Sequence, residues 1–268
     1  RIKMNIINFE NVNIGYDYRF LVLNKVNLTI KEGEHWVILG ANGSGKSTLI
    51  KLMSNDLYPN THEKFKKEIL EQETWDVFEL KKNFGIITND LHNDFLYNAK
   101  FSTGFEIVRS GFFASLGKIK HHIFTQEQND RTKEIMESLE IVHLSEKRAN
   151  QMSTGELRKC IIARALIYNP KALLLDEPTS GLDIKAQMNF LSLIKKLTQK
   201  LTVIIITHHV EEIFDEITHV ALIANNEIFK QGLKEDILTS GNISKVFDLD
   251  VVVNKEQDSY SIRRLLNA

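Results

Sequence analysis

"GANGSGKST", residues 40–48, is the stretch whose reading decides the fold. It satisfies G-x-x-x-x-G-K-[ST], a pattern whose glycines let successive backbone N–H groups curl towards one anion. Lys46 adds a point charge for phosphate oxygens, Ser47 a hydroxyl that can ligate a cation, and Thr48 a further hydroxyl. The loop follows the apolar run "HWVILG" and precedes the amphipathic "STLIKLMSN". A strand, a phosphate-cradling loop and a helix are therefore expected in that order, the context in which the pattern carries meaning.

Two further apolar runs stop abruptly at polar residues: "KALLLDE" at Asp176 and "LTVIIITHH" at Thr207. Near-continuous apolar strands of this kind are buried on both faces, which implies a parallel sheet. Ligands of open parallel sheets bind beyond the carboxyl ends of the strands, where these polar residues fall. With helical patterns such as "LRKCIIARALIYN" between the strands, the class is α/β. "INFENVNI" and "VNLTIKEGE" alternate instead, and predict a small N-terminal antiparallel β subdomain beside the mostly parallel core.

Composition narrows the function classes. The 268 residues carry a formal net charge of −1, so no bulk electrostatic attraction to nucleic acid exists and none is expected as a partner. One cysteine, Cys160, excludes an intramolecular disulfide and a cysteine-based zinc site, and it is expected to be inert core. No apolar run reaches the roughly 18–20 residues of a membrane-spanning helix, and the first residues show no signal-peptide pattern.

In "ALLLDEP", Asp176 at a strand tip is placed to hold Mg²⁺ through water, and Glu177 to take a proton from an attacking water. His208 follows the next core strand on the ligand side and is the candidate sensor of the terminal phosphate, with His209 less favoured. "QMSTGELRK" (151–159) has two readings. Ser153 with Glu156 three residues later is a capping box, and a Ser-x-Gly helix start can also clamp an anion.

The order of these motifs resembles the nucleotide-binding domain of ABC ATPases over nearly the whole chain. The phosphate loop, "MSTGEL", "LLLDEP", "SGLD" (180–183), the His208 strand and "IARAL" follow one another as in that family. The resemblance implies a P-loop NTPase core with an inserted α-helical subdomain. It would place the core at 1–94 and 151–235, the helical subdomain at 95–150 and a short extension at 236–268. It implies an ATPase with ATP and Mg²⁺ as cofactors. Its nucleotide-binding residues would be Tyr16 (with Tyr18 as fallback) stacking on adenine, and Gly40, Asn42, Gly43, Ser44, Gly45, Lys46, Ser47 and Thr48 around the phosphates. The catalytic residues would be Glu177, His208 and Lys46, and the metal contacts Ser47, Asp176 and Asn89. Ser153, Thr154, Gly155 and Glu156 would meet the ATP held by a second nucleotide-binding domain in a head-to-tail homodimer, with Asp183 linking the two sites.

By the same resemblance, the protein is expected to be the ATP-binding subunit of a transporter, cytoplasmic and peripheral on the inner face of the membrane when assembled with a permease subunit. The rival is a soluble ABC ATPase acting in repair, cofactor assembly or regulation. It draws on a similarity to tandem ABC ATPases associated with molybdate operons and photorepair. Departures from the family pattern are specific: the usual L-S-G-G-Q reads Met152, Ser153, Thr154, Gly155, Glu156, and Asn89 stands where the family has Gln. Glu156 suits a helix N-terminus but not a nearby phosphate, so slow turnover is expected. Phe95, Tyr97, Phe101, Phe105, Phe112 and Phe113 either pack the helical subdomain or line a groove for a partner helix. The stretch "GKIKHH" (117–122) is expected to be a solvated loop or helix end, and the residues after 235 a short helix and a small strand pair.

Overall fold

The computed structural model describes residues 3–17, 20–116 and 123–265 and divides into two compact units, 1–75 with 198–268, and 76–197. The first unit opens with β1 (Asn5–Asp17) and β2 (Phe20–Lys31), which pair antiparallel. In β2, Val26, Leu28 and Ile30 are buried while Lys25, Asn27, Thr29 and Lys31 face water, the period-2 alternation of a half-buried sheet. β3 (Trp36–Gly40) is buried at every residue and leads through the glycine loop into α1 (Lys46–Met53). The short β4 (Lys66–Ile69) then pairs with the other edge of β1, giving the order β2-β1-β4. "KKEI" carries little hydrophobic signal, and the sequence did not announce this strand.

The second unit contains α2 (Val77–Asn83), β5 (Phe84–Ile87) and α3 (Asn89–Tyr97). Among the described residues of 95–150 the regular elements are helices, α4 (Gly104–Arg109), α5 (Gln126–Ser138) and short 3-10 turns, and none is a strand. α6 (Thr154–Ala165) follows the signature, β6 (Ala172–Asp176) pairs parallel with β5, and α7 (Ile184–Thr198) closes the unit. Two arginines anchor the helical part. Arg164 of α6 donates to Ser110 Oγ (3.2 Å) and the Ser115 carbonyl (3.1 Å), and Arg109 donates to Asn129 Oδ1 (2.8 Å) and lies over the Phe124 ring.

The chain returns to the first unit with β7 (Thr202–Thr207) and β8 (His219–Ala224), which flank β3 on either side and run parallel to it. All six residues of β7 are buried. β9 (Glu227–Leu233) adds an antiparallel edge to β8. A single turn, α8 (Lys234–Ile237), precedes α9 (Ser240–Phe247), and the hairpin of β10 (Val251–Glu256) and β11 (Ser259–Arg264) follows, as the sequence leads one to expect. No described helix is long and apolar enough to cross a membrane.

Candidate functional site

In the first unit the glycine loop has a backbone that side chains would oppose. Gly43 and Gly45 hold φ of +80° and +103°, and a Cβ at Gly45 would stand 2.7 Å from Leu23 Cδ2. A Cβ at Gly40 would overlap Ser44 Oγ. α1 has Gly45 as its N-cap and therefore no side-chain cap, whereas α2, α3, α4 and α6 are capped by Asp76, Thr88, Thr103 and Ser153. A helix N-terminus keeps four backbone N–H groups without partners inside the helix, so an uncapped start behind a glycine loop is suited to an anion. Ser44 Oγ, buried and without a hydrogen-bond partner among the described residues, fits the same ligand. The buried Lys46 ammonium donates to the carbonyls of Gly40 (2.8 Å) and Ala41 (3.1 Å), which holds its charge against the loop.

Strand register places His208 beside this loop. Leu39 of β3 pairs with Thr207 of β7, so Gly40 and His208 leave neighbouring strands at the same height. The turn is fixed by His209 N, which donates to Thr207 Oγ1 at 3.0 Å, and the His208 and His209 rings lie 3.9 Å apart. The backbone of Tyr16 belongs to β1, but its side chain, like the whole of Tyr18 and of residues 117–122, lies outside the described residues.

The second unit repeats the arrangement at its own strand ends. Ile87 of β5 pairs with Leu175 of β6, so Thr88 and Asp176 stand at the same height. Thr88 Oγ1 accepts from Leu91 N (3.2 Å) and caps α3, which makes Asn89 the first helical residue and not a loop residue. Glu177, one residue past β6, has φ of +46°, an uncommon conformation for a side chain of its size. Its carbonyl accepts from Ser180 N (3.1 Å) and from the Arg158 guanidinium (3.1 Å). Arg158 also donates to the Pro178 and Ser180 carbonyls and to Asn89 Oδ1 (3.1 Å). Asp183 Oδ1 accepts from Ala186 N (2.8 Å), a local capping bond at the start of α7.

At the far end of α6 the capping box exists. Ser153 Oγ accepts from Glu156 N (3.2 Å), and Glu156 Oε2 accepts from Ser153 N (2.8 Å). The same oxygen lies 2.7 Å from Lys147 Nζ. Burial pushes the Glu156 carboxyl up, but the bonds from Lys147 and Ser153 together outweigh it and hold the group below its ordinary value. A Cβ at Gly155 would meet Ala186 Cβ at 3.6 Å, an ordinary contact, so packing within the chain does not require glycine there. Cys160 is buried core, its thiol pushed up to about 12 by burial and by Glu156. The aromatic residues divide: Phe95 and Phe112 are core, while Tyr97 and Phe101 are 73% and 62% exposed.

The sequence did not single out Arg158 or Lys147. A buried cation on a helix and an ion pair nine residues apart leave no periodic signal, and both become visible only through their acceptors.

The family model described as ABC transporter matches residues 23–180. The chain belongs to that family. It is an ATPase of the ABC type, and ATP is its nucleotide. Among its relatives, a putative ABC transporter ATP-binding protein of Streptococcus mutans is 30% identical over 92% of this chain and 94% of its own length. The energy-coupling factor transporter ATP-binding protein EcfA1 of Staphylococcus aureus is 31% identical over 93% and 89%. An inward-facing structure of a putative metal-chelate type ABC transporter superposes with a TM-score of 0.77 at 24% identity, over 97% of both chains, and shows the shared fold. A dimeric ATP-binding cassette in a post-hydrolysis state with ADP and Pi is 26% identical, with a TM-score of 0.65 over 85% of this chain and 98% of its own.

Proposed function

We propose that this ABC ATPase binds and hydrolyses MgATP in a head-to-tail homodimer, peripheral on the cytoplasmic side of a membrane, and drives transport through a separate permease subunit. The observation that carries the nucleotide reading is the first unit's phosphate loop, with its uncapped α1, its Ser44 Oγ that finds no partner among the described residues and its buried Lys46, at the same height as the exit to His208. The dimeric relative with ADP and Pi and the energy-coupling factor relative support the pairing and the membrane partner. Residues 95–150 are taken as the helical subdomain that meets the permease, and exposed Tyr97 and Phe101 are suited to such a contact.

The phosphate-loop N–H groups and Lys46 bind the phosphates and stabilise the charge that develops in the transition state. Ser47 and Asp176 are hard oxygen donors of the type Mg²⁺ prefers and would hold it, whereas the Asn89 oxygen is committed to Arg158. Bound Mg²⁺ would neutralise phosphate charge. Glu177 takes the proton of the attacking water and His208 contacts the terminal phosphate. Ser153, Thr154, Gly155 and Glu156 meet the partner's nucleotide, Asp183 lies at the subunit contact, and Tyr16 stacks on adenine.

The test is Glu177→Gln. It is expected to abolish steady-state hydrolysis while ATP still binds and the dimer accumulates, and retained turnover removes Glu177 as the base. The same variant, recovered with ATP and Mg²⁺ from detergent-solubilised cells, should carry a polytopic membrane protein. Recovery of soluble proteins alone would favour a soluble ABC ATPase.

A further inference from the structure

The mechanism above gives no role to the buried cation Arg158. Arg158 is 5% exposed in the middle of α6, and its guanidinium donates to three backbone carbonyls, Glu177, Pro178 and Ser180, and to the side-chain oxygen of Asn89. These acceptors lie between 19 and 69 residues away along the chain, so the bonds exist only in the folded unit. Guanidinium stays charged at any physiological pH, and burying it is costly unless its donors are met in good geometry. Four neutral acceptors arranged around one rigid fork are more than packing requires.

We infer that Arg158 is a positioning residue that ties the signature end of α6 to the backbone of the catalytic carboxylate and to Asn89, so that contact of one chain's signature with the partner's ATP is felt at its own water-activating group. The inference rests on the proposed roles of Glu177 and of the signature. Glu177 is held at φ +46°, and its carbonyl accepts from Arg158 as well as from Ser180 N. A non-glycine residue persists in that region only where its surroundings over-determine it. Losing the bond frees the backbone to relax, which swings the carboxylate away from its working position.

At the other end, Ser153 is the N-cap of the same helix, five residues before Arg158. A rise of about 1.5 Å per residue puts the two levels roughly 7 Å apart along a stiff rod. A small shift of the signature is therefore delivered to Arg158 without being absorbed in a loop. The Asn89 bond sets the polarity of that side chain. With Oδ1 accepting from a guanidinium, the amide presents its NH₂ donors elsewhere. Asn89 then serves as a hydrogen-bond donor beside the reaction and not as a metal ligand.

The test compares Arg158→Gln, Arg158→Lys and Arg158→Met with the native protein for kcat, KM for ATP, the Hill coefficient for ATP, and affinity for a non-hydrolysable ATP analogue. Expected are a kcat lower by roughly 10- to 100-fold, from a displacement of the reacting groups of order 1 Å, and a Hill coefficient closer to one. KM and analogue affinity should stay within about twofold, because the phosphate loop is untouched. Arg158→Lys should fail to rescue, since a point charge cannot span the four acceptors. Asn89→Ala combined with Arg158→Gln should be clearly less than additive on kcat.

A kcat within about twofold of native in Arg158→Gln overturns the inference, as does rescue by Arg158→Lys or strict additivity with Asn89→Ala. Should Arg158→Met not fold, the Gln and Lys variants and the Asn89 cycle decide. Glu177→Gln, assayed in parallel, separates the two readings: normal Arg158 variants beside a dead Glu177→Gln sink only the positioning role. A live Glu177→Gln sinks the proposed base.

Discussion

Glu156 Oε2 lies 2.7 Å from the Lys147 ammonium while also closing the capping box of α6 through Ser153 N. The carboxylate that replaces glutamine in this signature is thus locally neutralised, and the repulsion expected between Glu156 and a neighbouring phosphate is offset by a cation nine residues upstream.

Removing that cation should expose the repulsion. Lys147→Ala is expected to lower ATPase turnover by roughly fivefold, the equivalent of about 1 kcal/mol of unscreened like-charge energy. Stability should change by less than about 1 kcal/mol, because the pair is partly solvated. Adding Glu156→Gln to Lys147→Ala restores turnover, since glutamine keeps the capping bond without the charge. A double variant as slow as the single would show that Lys147 acts in some other way.

Gly155 separates stability from function. A Cβ there meets Ala186 at an ordinary 3.6 Å, so Gly155→Ala should stabilise the helix by roughly 0.5–1 kcal/mol. Turnover should nevertheless fall about tenfold or more, as the methyl group would intrude where the proposed signature role brings the partner's nucleotide close. A thermal melt and a steady-state assay on one preparation check both halves. Unchanged turnover would take the close approach away from Gly155.

Gly45→Ala should fail differently. Its φ of +103° and the 2.7 Å approach to Leu23 add strain of about 1–3 kcal/mol and distort the phosphate loop. Loss of ATP binding together with a lower melting temperature is the expected result, and normal binding would contradict the loop geometry.

His92 makes stability depend on pH. Burial and the nearby Arg158 charge push it down to about 4, and its Nδ1 is buried with no hydrogen-bond partner among the described residues. Between about 4 and its unfolded value near 6.5 the unfolded chain therefore binds more protons than the native one. The stability belonging to the neutral ring is complete above pH 6.5 and is lost as pH falls through that window. His92→Gln should flatten the fall in melting temperature between pH 7 and 4.5, and an unchanged slope would remove His92 as its source.

Much of this molecule is legible in contiguous stretches. The phosphate loop, the apolar runs that become β3, β6 and β7, and the Ser153 capping box depend on neighbours a few residues apart, where periodicity and glycine spacing carry the information. The ATPase family and the α/β class follow from the order of those motifs. The tertiary structure alone decided the rest: that Asn89 opens a helix with its oxygen held by Arg158, that Lys147 answers Glu156, and that Phe95 is core while Tyr97 two residues on faces water. Each depends on which distant acceptor, cation or packing surface folding brings alongside. A buried guanidinium can be satisfied by backbone carbonyls of any residue type, and so it leaves no mark in the residues it binds.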